Sequence, residues 1–224
     1  MGIGTLYIVG TPIGNLKDIT LRAIDTLGQV SLIAAEDTRR TRNLTTHYNI
    51  KTPIISYYEY NKLTRGDYLI RLLEEGKDIA LVSDSGMPGI SDPGFHIINL
   101  AMKNNIPVTV IPGPTAFTAG LVLSGMPAHR FAFEGFLPPK STSRKNRLKE
   151  LSGEDKTIIL YESPHRLIKC LADIEEVMGD RVIAVAREVT KKFEEVKRGK
   201  VSEILKFFTE HKPRGEFVIV IGKG

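Results

Sequence analysis

The chain has 224 residues, 42% hydrophobic and 25% charged, so it can bury a core as one large α/β domain or two small ones. A single cysteine, Cys170, excludes an intrachain disulfide and a thiolate metal cluster, and the five histidines show no ligand spacing, so no metal site is expected. The net charge of +5 lies wholly in the second half: residues 1–113 hold 11 Lys/Arg and 11 Asp/Glu, residues 114–224 hold 20 and 15, which hints at a polyanionic partner. No run of 18 apolar residues occurs and the N-terminus enters an apolar strand directly, so a soluble cytoplasmic protein without a membrane segment is expected.

Strand patterns and helix patterns alternate through the first half. Strands are predicted at 6–10 (LYIVG), 31–36 (SLIAAE), 53–57 (PIISY), 78–84 (DIALVSD) and 108–113 (VTVIPG). The first helix places Leu16, Ile19, Ala23, Ile24 and Leu27 on one face, with Asn15 or Asp18 as its cap; further helices are predicted at 59–75 and 92–104. Nearly unpatterned apolar strands between helices predict a mostly parallel sheet covered on both faces. The second half reads as a mixed sheet of strands at 131–137, 156–162, 181–188, 194–201 and 215–223, with helices at 143–151, 164–178 and 201–209. In the 164–178 helix Ser163 is the expected N-cap, with Pro164 at the first helical position. The expected architecture is therefore two α/β lobes, residues 1–115 and 116–224, with a ligand cleft between them.

Three glycine- and proline-rich turns leave the carboxyl ends of first-half strands: GTPIGN (10–15), SDSGMPGISDPG (83–94) and PGPTA (112–116). In an open α/β sheet that edge is where ligands bind, and the middle turn exceeds the usual two to six residues of a strand-to-helix link. Its glycines permit close approach, while Pro88 and Pro93 stiffen it. A phosphate needs several converging N–H groups. Pro12, Pro88, Pro112 and Pro114 have none, and no turn carries a P-loop lysine, so these loops suit a nucleoside without phosphate. Asp84 would favour a positive charge on it.

Together LYIVGTPIGNLKDIT, AAEDTRRTRNL, LVSDSGMPGISDPG, VIPGPTAFTAGLVLSGMP, FAFEGFLPPK and LYESPHR resemble the bacterial 16S ribosomal RNA (cytidine-2'-O)-methyltransferase I family, of the tetrapyrrole-methylase-like class, over essentially the whole chain. The resemblance implies S-adenosylmethionine as methyl donor and transfer to a cytidine ribose of 16S RNA in the decoding region, free or in the assembled 30S subunit. It also implies a homodimer. Carried over from the wider class, Pro12, Asp84, Ser85, Gly86, Ile90, Thr115, Ala116 and Tyr161 would line the donor pocket, and Ala184 would close it. Members of the family commonly continue past the last strand, whereas this sequence ends at GEFVIVIGKG, so RNA contacts from such a tail are not expected of it.

A ribose hydroxyl is a weak nucleophile, and a positioned base could contribute about 10²–10⁴-fold. Glu36, Asp37, Glu162 and Glu188 each end an apolar strand; each reads as a base or as an N-cap or ion-pair partner of Arg39, Arg166 or Arg187. Glu36 and Asp37 are preferred because their strand belongs to the donor lobe. Phosphate contacts are expected from Arg39, Arg40 and Arg42, from Lys140, Arg144, Lys145, Arg147 and Lys149, and from the basic residues of 191–200. The 140–149 tract reads as a solvated helix face or an RNA contact, and its lack of acids favours RNA. Rival readings are a methylase of a small tetrapyrrole, a nicotinamide-dependent dehydrogenase, for which the glycine fingerprint is missing, and a non-catalytic RNA-binding module.

Overall fold

The computed structural model describes residues 2–92 and 94–223. The chain divides into two compact units, Met1–Thr115 and Ala116–Gly224.

The first unit contains five strands, β1 (Leu6–Val9), β2 (Leu32–Ala35), β3 (Ile54–Ser56), β4 (Ile79–Val82) and β5 (Val108–Ile111), paired in parallel in the order β3-β2-β4-β1-β5. Four helices connect them: α1 (Leu21–Gln29), α2 (Thr38–His47), α3 (Lys62–Glu74) and α4 (Phe95–Lys103). Right-handed crossovers put connections that travel in opposite directions along the sheet on opposite faces. Here β1 to β2 and β2 to β3 run one way, while β3 to β4 and β4 to β5 run the other. Side-chain packing agrees. Ala23 and Leu27 of α1 and Leu44 of α2 bury against Val9, Ile33 and Ala35. On the other face Leu69 and Leu73 of α3 and Ile97 and Ala101 of α4 bury against Leu6, Ile8, Ala34 and Leu81. Alternate residues of one strand thus serve opposite layers, as the two-residue side-chain period requires. The neighbours β1 and β4 send their chains to opposite faces, which makes the gap between their carboxyl ends a topological switch point.

Two local expectations for this unit are corrected. Helix α1 starts at Leu21 with Thr20 as its cap, the Thr20 side chain accepting from the Ala23 N–H, and not with Asn15 or Asp18. Asn15 instead caps a short 3₁₀ turn, Leu16–Asp18, so Leu16 leaves the apolar face and is 37% exposed. Helix α2 goes unseen in the pattern because its buried face is Thr41, Leu44 and Thr45, a stripe with one apolar residue.

The second unit pairs β6 (Phe131–Phe136), β7 (Thr157–Glu162), β10 (Phe217–Ile221), β8 (Val182–Arg187) and β9 (Glu195–Lys200) in that spatial order, with β6 and β7 parallel and the rest antiparallel. Helices α6 (Ser141–Ser152), α7 (Leu167–Met178) and α8 (Val201–Glu210) cover one face, burying Leu148, Leu171 and Ile204 with Ile158, Leu160 and Ile219. Helix α5 (Ala116–Ser124) lies on the opposite face: a Cβ on its Gly120 would stand 2.6 Å from Val218 Cγ1. That helix is apolar on every side, which hides its 3.6-residue period. Helix α7 begins three residues later than expected, with Arg166 and not Ser163 in the cap position, because the Ser163 carbonyl accepts from both the Arg166 and Leu167 N–H groups in a preceding turn.

Candidate functional site

The three glycine- and proline-bearing turns of the first unit meet at its switch point. Thr11 and Gly86 exchange both backbone hydrogen bonds, at 2.9 and 3.0 Å, which ties the turn after β1 to the loop after β4. The Thr11 hydroxyl also donates towards the Ser83 and Gly86 carbonyls, at 3.3 and 3.4 Å. Gly10 and Gly113 pack backbone to backbone; a Cβ on Gly10 would lie 2.6 Å from Gly113 Cα. Gly86 holds φ at 85°, a left-handed conformation suited to glycine. Its N–H and C=O are both engaged by Thr11, so it locks the loops together and offers a ligand only its Cα surface. Among the donor-pocket residues implied by the resemblance, that narrows the role of Gly86. Beside these turns lies a hollow of about 80 Å³ lined by Thr11, Pro12, Leu16, Arg40, Thr41, Leu44, Ser83 and Asp84.

Carboxylates gather at the same edge. The Asp37 N–H donates to Asp84 Oδ1 at 2.9 Å, and the Asp84 N–H donates to Glu36 Oε2 at 3.4 Å, so the carboxyl ends of β2 and β4 are stitched through acids. Burial, and next the Asp84 carboxylate, push the Glu36 carboxyl above its ordinary range. Asp92 is pushed up to about 6, first by burial and then by Glu36, against the opposing hydrogen bond of the Ser83 side chain. Asp92 did not stand out in the sequence. The repeated Ser-Asp pairs of the loop, Ser83-Asp84 and Ser91-Asp92, were the available signal, and Ser91 turns the chain between them with φ of 61°. Pro93, expected to stiffen this loop, lies outside the described residues.

Asp37, grouped with Glu36 as a base, has a structural task. Its carboxylate caps α2 by accepting from the Arg39 N–H at 2.8 Å and holds the Arg39 guanidinium at 2.7 Å. The Arg39 side chain is the leading reason that the Asp37 carboxyl is held well below the usual carboxylate range. Glu162 and Glu188 also have structural partners. Glu162 is buried and accepts from the Ser163 N–H at 2.7 Å, with Arg166 Nε at 3.2 Å. Glu188 accepts from Lys191 Nζ at 2.9 Å and from the Glu216 N–H at 3.0 Å. Burial drives the Cys170 thiol up to about 12, and Cys170 belongs to the second core.

Ser85 and Asp84 are half-buried and Ile90 is 36% exposed, all three in the loop after β4. Thr115 ends the first unit and Ala116 opens the second. The Tyr161 hydroxyl, at the end of β7, accepts from the Phe117 N–H at 3.1 Å, which anchors the start of α5. Ala184 is buried in the middle of β8, paired with Val220 and Arg198.

The basic tract of α6 is corrected most. Arg144 is 2% exposed, with Nε and Nη2 on Asp173 Oδ2 at 2.7 and 2.6 Å and Nη1 donating to the Pro139 carbonyl at 3.2 Å. A buried guanidinium so engaged cannot reach RNA. Lys145 Nζ is 2.6 Å from Glu176, and Arg147 pairs with Glu134 at 2.7 Å and Glu150 at 2.6 Å. The acids absent from 140–149 arrive from β6, α7 and the helix end. A bulge between Phe133 and Gly135 in β6 sits beside Glu134, the partner of Arg147. Lys140 and Lys149 are exposed, as are Arg39, Arg40 and Arg42, although Arg40 Nε stands 3.5 Å from Asp84. Among the described residues no helix is long and apolar enough to cross a membrane, and no group of three or more His, Cys, Asp or Glu could hold a metal ion.

Comparison with known proteins gives these features a setting. The family described as Tetrapyrrole (Corrin/Porphyrin) Methylases matches residues 5–205. A Thermotoga maritima protein named ribosomal RNA small subunit methyltransferase I is 49% identical over 219 residues, covering 98% of each chain. Proteins of the same name from Synechocystis sp. and Bacillus subtilis are 50% and 48% identical over 98% of this chain and 79% and 75% of their own. Among solved structures, a diphthine synthase (TM-score 0.75, 16% identity, 98% of this chain and 90% of that one) and a cobalt precorrin-4 methyltransferase (0.73, 17%, 97% and 94%) share the fold.

Proposed function

Because the chain belongs to the ribosomal RNA small subunit methyltransferase I family, within the tetrapyrrole methylases, we propose that it transfers a methyl group from S-adenosylmethionine to small-subunit ribosomal RNA. The finer reading is methylation of a cytidine 2'-hydroxyl in the decoding region, by a cytoplasmic homodimer. The observation that supports methyl transfer to small-subunit RNA is the knitting of the three turns at the switch point of a chain whose relatives bear that name over nearly its whole length. The nicotinamide and small-tetrapyrrole readings are not favoured: the first lacks the glycine fingerprint, and relatives at about half identity bear the RNA methylase name.

The loops fit such a donor by their chemistry. They present carbonyls, apolar surface and Asp84, whose side chain is 27% exposed, and prolines remove N–H groups that would favour an anion. Bound there, S-adenosylmethionine supplies a methyl activated by a sulfonium cation. Pro12, Ser85 and Ile90 would line the donor, with Thr115, Ala116, Tyr161 and Ala184 assigned by the resemblance. The chain's own work is alignment, since an in-line displacement gains most from holding nucleophile and methyl in register. The bridge from Thr11 to Gly86 and the contact of Gly10 with Gly113 supply that rigidity.

Glu36 is the residue we assign as base. Its raised pKa makes it a better proton acceptor than an ordinary carboxylate, and it keeps one carboxylate oxygen beyond that facing the Asp84 N–H. Asp37 orients α2 and Arg39, not the ribose. Arg39, Arg40, Arg42, Lys140 and Lys149 remain as phosphate contacts.

The test is transfer of labelled methyl to small-subunit RNA, free and assembled into subunits, followed by alkaline hydrolysis. A 2'-O-methyl group blocks attack of that oxygen on the adjacent phosphodiester, so the label is expected in an alkali-resistant dinucleotide beginning with cytidine. Label released as a mononucleotide would place the methyl elsewhere, and no transfer to either RNA would reject the reading.

A further inference from the structure

We propose that the turn after β3 is a stacking platform for unpaired nucleotides of the RNA substrate, with Tyr58 and Tyr60 as its aromatic faces. The inference rests on the reading above and names a contact that it lacks. Tyr60 is 94% exposed and Tyr58 40%, with ring centroids 6.3 Å apart in an edge-to-face arrangement. Exposed aromatic rings on a flexible loop would carry little meaning, but this turn is built. Tyr57 points inward, 1% exposed within the core of the first unit, and its N–H donates to the Ala35 carbonyl at 2.7 Å. Asn61 then closes the turn: its Oδ1 accepts from the Tyr58 N–H at 2.8 Å, its Nδ2 donates to the Ser56 carbonyl at 3.2 Å, and its own N–H donates to the Tyr58 carbonyl at 3.0 Å. The next helix continues from it, the Arg65 N–H donating to the Asn61 carbonyl at 3.0 Å. One tyrosine anchors the turn while two are held out of the core.

Position selects the partner. In the order β3-β2-β4-β1-β5 the tyrosine turn leaves the same sheet edge as the donor loops and stands beside the carboxyl end of β2, which carries Arg39, Arg40 and Arg42. Two strand spacings, about 10 Å, separate β3 from β4. Arg65 follows the tyrosines on α3. Glu59 is the acid within the turn, and it is paired with Lys62. Aromatic faces flanked by cations at a sheet edge are how single-stranded RNA is held without a base code: bases stack on the rings and phosphates meet the cations. Leu63, 64% exposed, extends the apolar surface and makes a second copy of the chain the competing occupant.

The experiment measures binding of the full-length protein to a fluorescent single-stranded oligoribonucleotide of small-subunit sequence, across a salt series, with a duplex of the same sequence beside it. Tyr60→Ala is expected to weaken single-strand binding by about tenfold or more, to leave the slope of log affinity against log salt unchanged, and to leave S-adenosylmethionine affinity unchanged. Tyr60→Phe, which keeps the ring, is expected to bind as wild type, whereas Arg42→Gln is expected to lower the salt slope by about 0.7. Wild-type affinity in Tyr60→Ala overturns the proposal. If Tyr60→Ala instead shifts the sedimentation coefficient to that of a smaller species while RNA affinity holds, the surface joins two copies and the proposal is likewise wrong. A wild-type protein that methylates RNA and retains RNA affinity in Tyr60→Ala defeats only this inference; one that neither methylates nor binds RNA defeats the functional reading beneath it.

Discussion

The loops at the carboxyl edge of the first sheet leave carboxylates half-exposed and hold Glu36 and Asp92 above their ordinary pKa, whereas helix α6 of the second unit satisfies the charges at its centre. In the loops, the backbone groups of Thr11 and Gly86 pair with each other and the Asp84 carboxylate takes the Asp37 N–H through one oxygen, so part of the carboxylate chemistry remains for a ligand. In α6, Arg144, Lys145 and Arg147 are taken up by Asp173, Glu176, Glu134 and Glu150. Both regions have an unusual local composition. The difference is whether other elements supply partners, and that is decided by packing.

The largest effect that sharpens this contrast is on catalysis. Glu36→Gln is expected to lower kcat by roughly 10²–10⁴-fold with S-adenosylmethionine affinity retained, while Asp37→Asn keeps kcat near wild type and loosens α2. Equal turnover in Glu36→Gln and wild type would remove Glu36 as base. In the second unit, Arg144→Ala leaves the buried Asp173 with the Ser141 hydroxyl and Lys145 but without its guanidinium, and is expected to cost about 3–5 kcal/mol in urea unfolding. Lys149→Glu, on an exposed face of the same helix, should change stability by less than about 0.5 kcal/mol. A mild Arg144→Ala phenotype confined to RNA affinity would reverse the assignment of that tract.

Next in size is Gly113→Ala. The added Cβ would meet Gly10 main-chain atoms at 2.8 Å, so the loops must part. A loss of about 1–3 kcal/mol together with weaker donor binding is expected by calorimetry. The smallest effect is a pH dependence. With a folded pKa of about 6 against an ordinary 3.8, Asp92 binds its proton more tightly in the native state, so its contribution is complete below about pH 4 and is lost as pH rises through 6. Asp92→Asn should therefore melt above wild type at pH 7, with the gap closing towards pH 4. A constant gap would show that Asp92 is ordinary.

Strands such as β2, β4 and β10 are legible as short apolar runs, whereas β9, EVKRGK, is a charged strand with no buried residue. Helices α2 and α5 are not legible, one having a single apolar residue on its buried face and the other being apolar all round. The meeting of three turns could be expected from strand order in parallel folds, but the Gly10–Gly113 contact and the Thr11–Gly86 bridge join residues about 100 and 75 positions apart, beyond any local pattern. The partners of Arg144, Lys145 and Arg147 are out of reach of a local reading for the same reason: Asp173 lies 29 residues beyond Arg144. A run without acids says nothing about acids brought by another helix.

The account stands on the first unit's turns holding a cationic nucleoside without an anion nest. Isothermal titration of the intact protein with S-adenosylmethionine, and in parallel with NADH, tests this most directly. Saturable heat with the methyl donor, abolished or weakened in Gly113→Ala, and none with the dinucleotide is the predicted result. Saturation by NADH with silence from S-adenosylmethionine would contradict it.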